Sequence, residues 1–529
     1  MMNVYIIGMI ISFTIYILIS LIIGRKVKTA SDFYVAGRRA PILLIVGSMI
    51  ASYISTNVFM ADAGDYYSGL FSPLTILVTI EVAGYIYGAV FFGRFLRRSE
   101  VYTIPEFFGK RFNSERIRVL ATITSMTTMF VYLISVLQGL GTLMNYVTGI
   151  EYNTCVILSM IVFLTIVMVS GSSGVLITDT IMFGLFTSAL IVGSIMIISR
   201  SGGWGTVITK LVDFPAKSGL LTWGGNTDYL YADRSMNILW GIVYGIVWLS
   251  VCMVGPWQSS RYLMAKNEHT VIRSSLFSAF GIFMLQLIIG MTAVSVNIFN
   301  PDITPVTNVM IWAATNILPT MIGVIMLTGV LAAGISSVTT FLSLIGSSIA
   351  NDIFKSKTRS ILIGRVSMLF VSIIAVLITI SKPPQIRIVL YLGGTIVAAS
   401  WMPVCIASIL SKRVTKTGAF LGMLVGFSSV FLMKLYAGVK GISLPMYLDP
   451  TVVGILSNTI CLILGSLFTK VTPEEVSARE MILKKPDSEK DRRERHITIR
   501  YAKAMIVLGV VISAILLIFW AIPVLKVGA

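Results

Sequence analysis

Charge is scarce in this chain. Only 12% of its 529 residues are Asp, Glu, Lys or Arg, and 56% are hydrophobic. A water-soluble globular protein carries about 25% charged residues, so a single core under a solvated surface is excluded. Histidine is scarcer still. His269 and His496 are the whole complement, both in polar stretches, which argues against histidine-based catalysis and His/Cys metal centres. The four cysteines, Cys155, Cys252, Cys405 and Cys461, each stand alone in apolar surroundings. Neither a disulfide framework nor a metal-ligand spacing arises from them. No nucleophile–base pair is evident, and no phosphate-cradling glycine loop follows a strand. An enzyme is therefore not expected.

What the chain has in abundance is long apolar runs. Fourteen are long enough to span a bilayer: 2–24, 41–66, 73–96, 116–147, 154–170, 174–199, 237–258, 276–298, 318–350, 360–381, 386–411, 418–437, 451–469 and 501–524. The first lacks a basic flank and a small-residue cleavage site, so it reads as a retained helix and not as a signal peptide. Thirty-two of the 41 Lys and Arg residues fall in alternate loops, at 25–40, 94–118, 168–174, 259–274, 351–365, 411–417 and 470–503. That asymmetry assigns these loops to the cytoplasm and both termini to the outside of the cell membrane. It also explains the net charge of +18, which faces anionic lipid and gives no reason to expect nucleic acid. The mixed-charge run Lys484–Arg495 in the internal loop 470–500 reads as a solvated linker. No stretch suggests a water-soluble domain.

Polar residues inside the spans carry the functional information. In Leu331-Ala-Ala-Gly-Ile-Ser-Ser-Val-Thr-Thr340, Ala333, Ser336, Ser337 and Thr340 share one helical face, with Thr339 beside it. Such a row suits a hard monovalent cation, and it also suits close helix packing. The second span is polar from Ser52 to Asn57, where side chains compete with the helical ladder. The seventh carries Gly241, Gly245 and Gly255-Pro256, and proline kinks or ends a helix. Interrupted helices in corresponding positions of two halves mark a transporter's binding site. Spans 2–6 and 7–11 would be such halves, and an odd number of helices in each inverts the second. Carboxylates within spans are costly and functional by default. They are Asp179, which can sit beside the hydroxyl face, Glu81, and Asp62 with Asp65 near the outer interface. Gln138, Asn145, Tyr244 and Trp248 are candidates to line a solute cavity.

Several motifs resemble the sodium–solute symporters, the family of sodium/glucose, sodium/proline and sodium/pantothenate symporters. They are Ser31-Asp-Phe-Tyr-Val-Ala-Gly-Arg38, Tyr102-Thr-Ile-Pro-Glu-Phe-Phe-Gly-Lys-Arg-Phe112, Gly255-Pro-Trp-Gln-Ser-Ser-Arg-Tyr-Leu-Met-Ala-Lys266, and Ala399-Ser-Trp-Met-Pro-Val with Lys412-Arg-Val-Thr-Lys-Thr-Gly-Ala419. They occur in the family's order between about 31 and 420. The resemblance implies an all-α polytopic membrane protein with the leucine-transporter fold: two inverted five-helix repeats plus flanking helices, about 14 in all. The first repeat would be 41–199 and the second 237–411. Before them, 1–40 holds an extra helix. Loop 200–236 lies outside, and 412–529 holds three further helices.

By the same resemblance, a first sodium ion is held by the carbonyls of Ala51, Ile54 and Ala333 and the hydroxyls of Ser336 and Ser337. A second uses Asp179, Ser336, Thr339 and Thr340. Ser55, Asn57, Phe59, Gln138, Tyr244 and Trp248 are the expected solute cavity. Asn57-Val-Phe-Met replaces the Gln or Glu that sugar-binding members carry near this point, which argues against a sugar. Trp248 matches the proline branch, whereas Ser52–Asn57 does not, so the solute stays open, as does the oligomeric state. The expectation is sodium-driven import of a small organic solute, with sodium as coupling ion and no other cofactor. A membrane sensor built on a transporter-like domain and a transporter driven by protons through Asp179 and Glu81 are the alternatives.

Overall fold

The computed structural model describes residues 4–356, 358–381, 386–442 and 444–527. Lys357 and the opening residues of the first expected span lie outside them. Among the described residues there is no strand, only one isolated bridge between Ala40 and Ala265. The apolar helices, labelled in chain order, are α1 (Val4–Gly24), α2 (Ile42–Tyr53), α3 (Val58–Ser68), α4 (Phe71–Arg98), α5 (Glu115–Thr148), α6 (Tyr152–Arg200), α7 (Arg234–Met264), α8 (Glu268–Val296), α9 (Thr320–Ile353), α10 (Ser360–Ile380), α11 (Ile386–Leu410), α12 (Lys416–Lys440), α13 (Met446–Leu467) and α14 (Arg492–Leu525).

Two features reconcile these helices with fourteen crossings. The pair α2 and α3 is bent by 54° and forms one broken span. Helix α6 has 49 residues, which at 1.5 Å per residue is about twice the reach one crossing needs. Its helical path is interrupted at Gly171, with φ 53 and ψ −156. A side chain there would be strained, and a Cβ would come within 2.6 Å of the Phe33 ring. Gly171 thus divides α6 where the sequence places the gap between its fifth and sixth spans.

Helix α9 is the centre of the molecule. It packs along α6, α5, α10 and α2, and Leu327 to Leu342 are buried without exception. Helices α12, α13 and α14 stand at the periphery with large exposed apolar side chains such as Leu432, Leu467 and Val510, as lipid-facing helices do. The short helices between spans explain the sequence motifs. Thr29 and Asp32 form a reciprocal capping box for Ala30–Val35. Thr103 caps Ile104–Phe112, whose Phe107 and Phe108 are buried and whose buried Arg111 donates to the Ser408 carbonyl at 2.6 Å. The bridge ties the chain just after the first motif to the 255–266 motif: Ala40 N donates to Met264 O and Lys266 N to Ala40 O, both at 3.1 Å.

On the opposite side, the loop between α6 and α7 is pinned by Lys217. Its ammonium donates to Asn297 Oδ1 at 2.7 Å and to Tyr67 O at 3.2 Å, and lies 3.2 Å from the centre of the Tyr67 ring. Burial lowers its pKa from the usual 10.5 to about 7, with Asp302 acting the other way. The undocked loop therefore binds this proton more tightly than the docked loop. Docking is penalised most below pH 7 and strengthens as pH rises from 7 towards 10.5. Chymotryptic nicking of the loop, measured against Lys217→Met at the same pH, is expected to be faster at about pH 6 than at about pH 9. An unchanged ratio would show that Lys217 does not control docking.

Candidate ion and solute sites

The helical ladder of α2 runs to the bond from Ile54 N to Ile50 O, 2.8 Å, and resumes with Val58 N to Ser55 O, 3.1 Å. Ile54 itself is non-helical at φ −72, ψ 87. A helix end leaves its last carbonyls without ladder partners, and here those of Ala51 to Ile54 lie inside the protein. Helix α9 faces them. Ser337 Oγ lies 3.4 Å from Ser52 O and 3.3 Å from Ala333 O. Ala51, Ile54, Ala333, Ser336 and Ser337 are all fully buried. The backbone break and the hydroxyl stripe, separated by some 280 positions in sequence, are therefore apposed.

Deeper along α9, Asp179 is held on one side only. Its Oδ2 accepts from Ser48 Oγ at 2.6 Å and from Arg261 Nη2 at 3.1 Å. Its Oδ1 is buried with no hydrogen-bond partner, and so is Ser336 Oγ, which stands beside it outside hydrogen-bond geometry. Thr340 Oγ1 accepts from the same Arg261 Nη2 at 2.7 Å. Thr339 turns back to its own helix, bonding Ile335 O and Ser336 O. Only about 10 Å³ of free space adjoins Ser48, Arg261 and Thr340, about the size of one water.

Arg261 corrects an expectation. The sequence places it in a solvated cytoplasmic loop, yet it is 1% exposed, because Pro256–Met264 is a helix folded into the protein behind the Gly255 break. Its other donors go to Ser48 Oγ, Trp257 O and Ser260 Oγ.

A cavity of about 610 Å³ opens on the side of the 201–233 loop, lined among others by Ala61, Asp65, Gln138, Tyr229 and Arg387. Asp65 is buried rather than at an interface. Its Oδ1 accepts from Arg387 at 2.9 Å and from the Tyr229 hydroxyl at 2.7 Å. Of the expected cavity residues, Gln138 lines this space. Asn57 donates to Ser135 Oγ at 3.0 Å, while Ser55 Oγ accepts from Asn57 N, and neither lines the cavity. Phe59 packs on Phe186. Tyr244 and Trp248 join Tyr391 and Tyr53 in an aromatic cluster. Asn145 is exposed and caps the end of α5 through Ile150 O, so it does not face the cavity.

Arg387 and Gln286 escaped the sequence reading. Both lie inside expected spans, where any polar group is a signal, but only the fold pairs Arg387 with Asp65 and brings Gln286 to Asp62 and Glu81.

Comparison with known proteins gives a family and a fold. A model described as "Sodium:solute symporter family" matches residues 33–426. The sodium/proline symporter of Salmonella typhimurium is 23% identical over 81% of this chain and 88% of its own length. The sodium/glucose cotransporter of Vibrio parahaemolyticus is 24% identical over 88% and 91%. A solved structure titled as the substrate-bound outward-open state of a Na+-coupled sialic acid symporter superposes with a TM-score of 0.72. It is 18% identical and covers 88% of this chain and 98% of that one.

Removing one member of a buried ion pair strands the other charge, at a cost of about 3–5 kcal/mol. Arg261→Gln is therefore expected to lower the thermal stability of the purified protein sharply. The double variant with Asp179→Asn should recover much of the loss. Additive losses would mean that the pair does not act as a unit.

Proposed function

The chain belongs to the sodium:solute symporter family, and on that premise we propose that it imports a small organic solute by alternating access, with sodium bound between the broken second span and α9. It is a transporter and not an enzyme. The observation that carries the reading is the apposition of Ser337 to the carbonyls released at Ile54. In the proposed first site, the carbonyls of Ala51, Ile54 and Ala333 and the hydroxyls of Ser336 and Ser337 replace the hydration shell of the ion. They are neutral oxygens, suited to a hard monovalent cation.

The coupling follows from linkage. An ion that binds only when the break meets α9 stabilises that arrangement and no other. Because the solute cavity abuts the same broken span through Ala61 and Asp65, the ion and the solute favour one state together. In the membrane orientation set by the basic loops, the cavity opens outward and both termini lie outside. The potential then contributes about 2.3 kcal/mol per charge per 100 mV to inward transfer.

A second ion fits beside Asp179. Its Oδ1 and the adjacent Ser336 Oγ are two buried oxygens that would take the ion. Thr340 joins them if Arg261 releases its hydroxyl, whereas Thr339 would have to leave its own helix. The cost of moving the guanidinium makes this the weaker site and ties its occupancy to motion of the Pro256–Met264 helix.

The test is uptake into sealed liposomes of a solute found by sodium-dependent thermal stabilisation among amino acids, carboxylates, sugars and vitamins. Accumulation is expected with an inward sodium gradient and not in potassium alone. Equal accumulation in potassium, or accumulation driven by a pH gradient instead, would overturn sodium coupling. Ser337→Ala is expected to raise the sodium concentration for half-maximal uptake about tenfold, the equivalent of 1.4 kcal/mol. Unaltered sodium dependence would place the ion elsewhere.

A further inference from the structure

Two carboxylates that neither ion site uses meet in the interior. Glu81 on α4 is fully buried, and Asp62 on α3 is partly exposed. Among the described residues neither has an ion-pair partner, although Asp65, Asp179 and Asp352 each face an arginine. One neutral group lies between them: Gln286 Nε2 on α8 sits 3.5 Å from Asp62 Oδ2 and 3.5 Å from Glu81 Oε1. Glu81 Oε2 accepts from the Tyr53 hydroxyl. The remaining atom of the amide, Gln286 Oε1, is buried and has no hydrogen-bond partner, although Gln286 is 1% exposed.

We infer that Asp62, Glu81 and the Gln286 amide form the recognition site for an ammonium group of the transported solute, making the solute class the organic primary amines, amino acids included. The inference rests on the symporter reading above and deepens it.

Three features point to an ammonium. A nitrogen donor already bridges the two carboxylates, at 3.5 Å from each, longer than the 2.7–2.9 Å of a charge-assisted bond. An ammonium that displaces it can tighten both bonds, and the turned amide offers Oε1 to the third N–H. That matches three acceptors to three donors. A bare metal ion fits less well, because oxygens must close to about 2.3–2.6 Å even around calcium, whereas these are spread around a nitrogen. A buried carboxylate held by neutral donors alone has no counter-charge, and a cationic headgroup supplies it. The walls agree. The Tyr53 ring, whose hydroxyl holds Glu81, lies 5.6 Å from Trp248 and 6.3 Å from Tyr85. Aromatic faces attract cations and accept the apolar body of a small amine.

The site also lies where coupling needs it. Asp62 adjoins Ala61, which lines the cavity, and Tyr53 is the last helical residue before the break. A solute held here touches the same segment that would hold the first sodium ion.

The test uses the purified full-length protein and pairs of probes that differ only in exchanging the amine for a hydroxyl. The pairs are L-alanine and L-lactate, ethanolamine and ethylene glycol, and tyramine and tyrosol, each at millimolar concentration in sodium and in potassium buffer. At least one amine is expected to raise the thermal midpoint in sodium while its hydroxyl partner does not. Glu81→Gln and, separately, Asp62→Asn are expected to abolish that shift and to keep the stabilisation by sodium over potassium, which also reports that the variants are folded. Asp62 is the more exposed of the two, so its variant serves if Glu81→Gln does not fold. The inference is overturned if no amine exceeds its hydroxyl partner or if both variants keep the amine shift. It is also overturned if the variants lose the sodium effect alone, which would make this a metal-ion site. Failure of the symporter reading looks different: sodium and potassium would then be equivalent in the unaltered protein, whatever the amines do.

Discussion

The fold turns on a backbone interruption placed where no bulk water can satisfy it. In a bilayer every carbonyl must find a partner within the protein, and irregular backbone survives only where it is enclosed or lines a cavity. The gap between Tyr53 and Val58 meets that condition because α9 covers it. The density of small and hydroxylated residues on α9 follows from this. Gly334 sits against Leu140 and Thr56 so closely that a Cβ would come within 2.6 Å of Leu140, and Ser337 reaches the released carbonyls only because the helices approach so far. Close packing, one of the two readings the stripe allows in sequence, is thus what brings its hydroxyls to the released carbonyls.

The buried charges differ in kind. Asp65, Asp179 and Asp352 each have an arginine and neutral donors around them, so their fields are largely closed. Glu81 and Asp62 have a tyrosine and an amide. Glu268 is likewise buried against Arg98, whereas Asp62 and Glu81 meet only neutral groups at short range.

How much was legible beforehand depends on the range of the interaction. Span positions, the break at Ser52–Asn57 and the division near Gly171 follow from hydropathy and local chemistry, and each is found where composition placed it. The motifs at 31–38, 102–112 and 255–266 proved to be capped or buried short helices and the bridge between them. Arg261 shows the limit. A basic residue just after an apolar run looks cytoplasmic by the rule that orients the spans, and only the fold shows the chain returning inward to meet Asp179. Gln286 and Arg387 failed for the same reason: a polar residue in a span announces a partner without naming it.

The single bridge between Ala40 and Ala265 has a mechanical meaning. Ala40 immediately precedes the broken span, and Ala265 immediately follows the second interrupted helix. Arg97 fastens the same point, donating to Ala265 O at 2.6 Å. The two interrupted segments are thus joined, start to end, by main-chain hydrogen bonds. The first and second halves of the chain are thereby joined at one point by backbone alone.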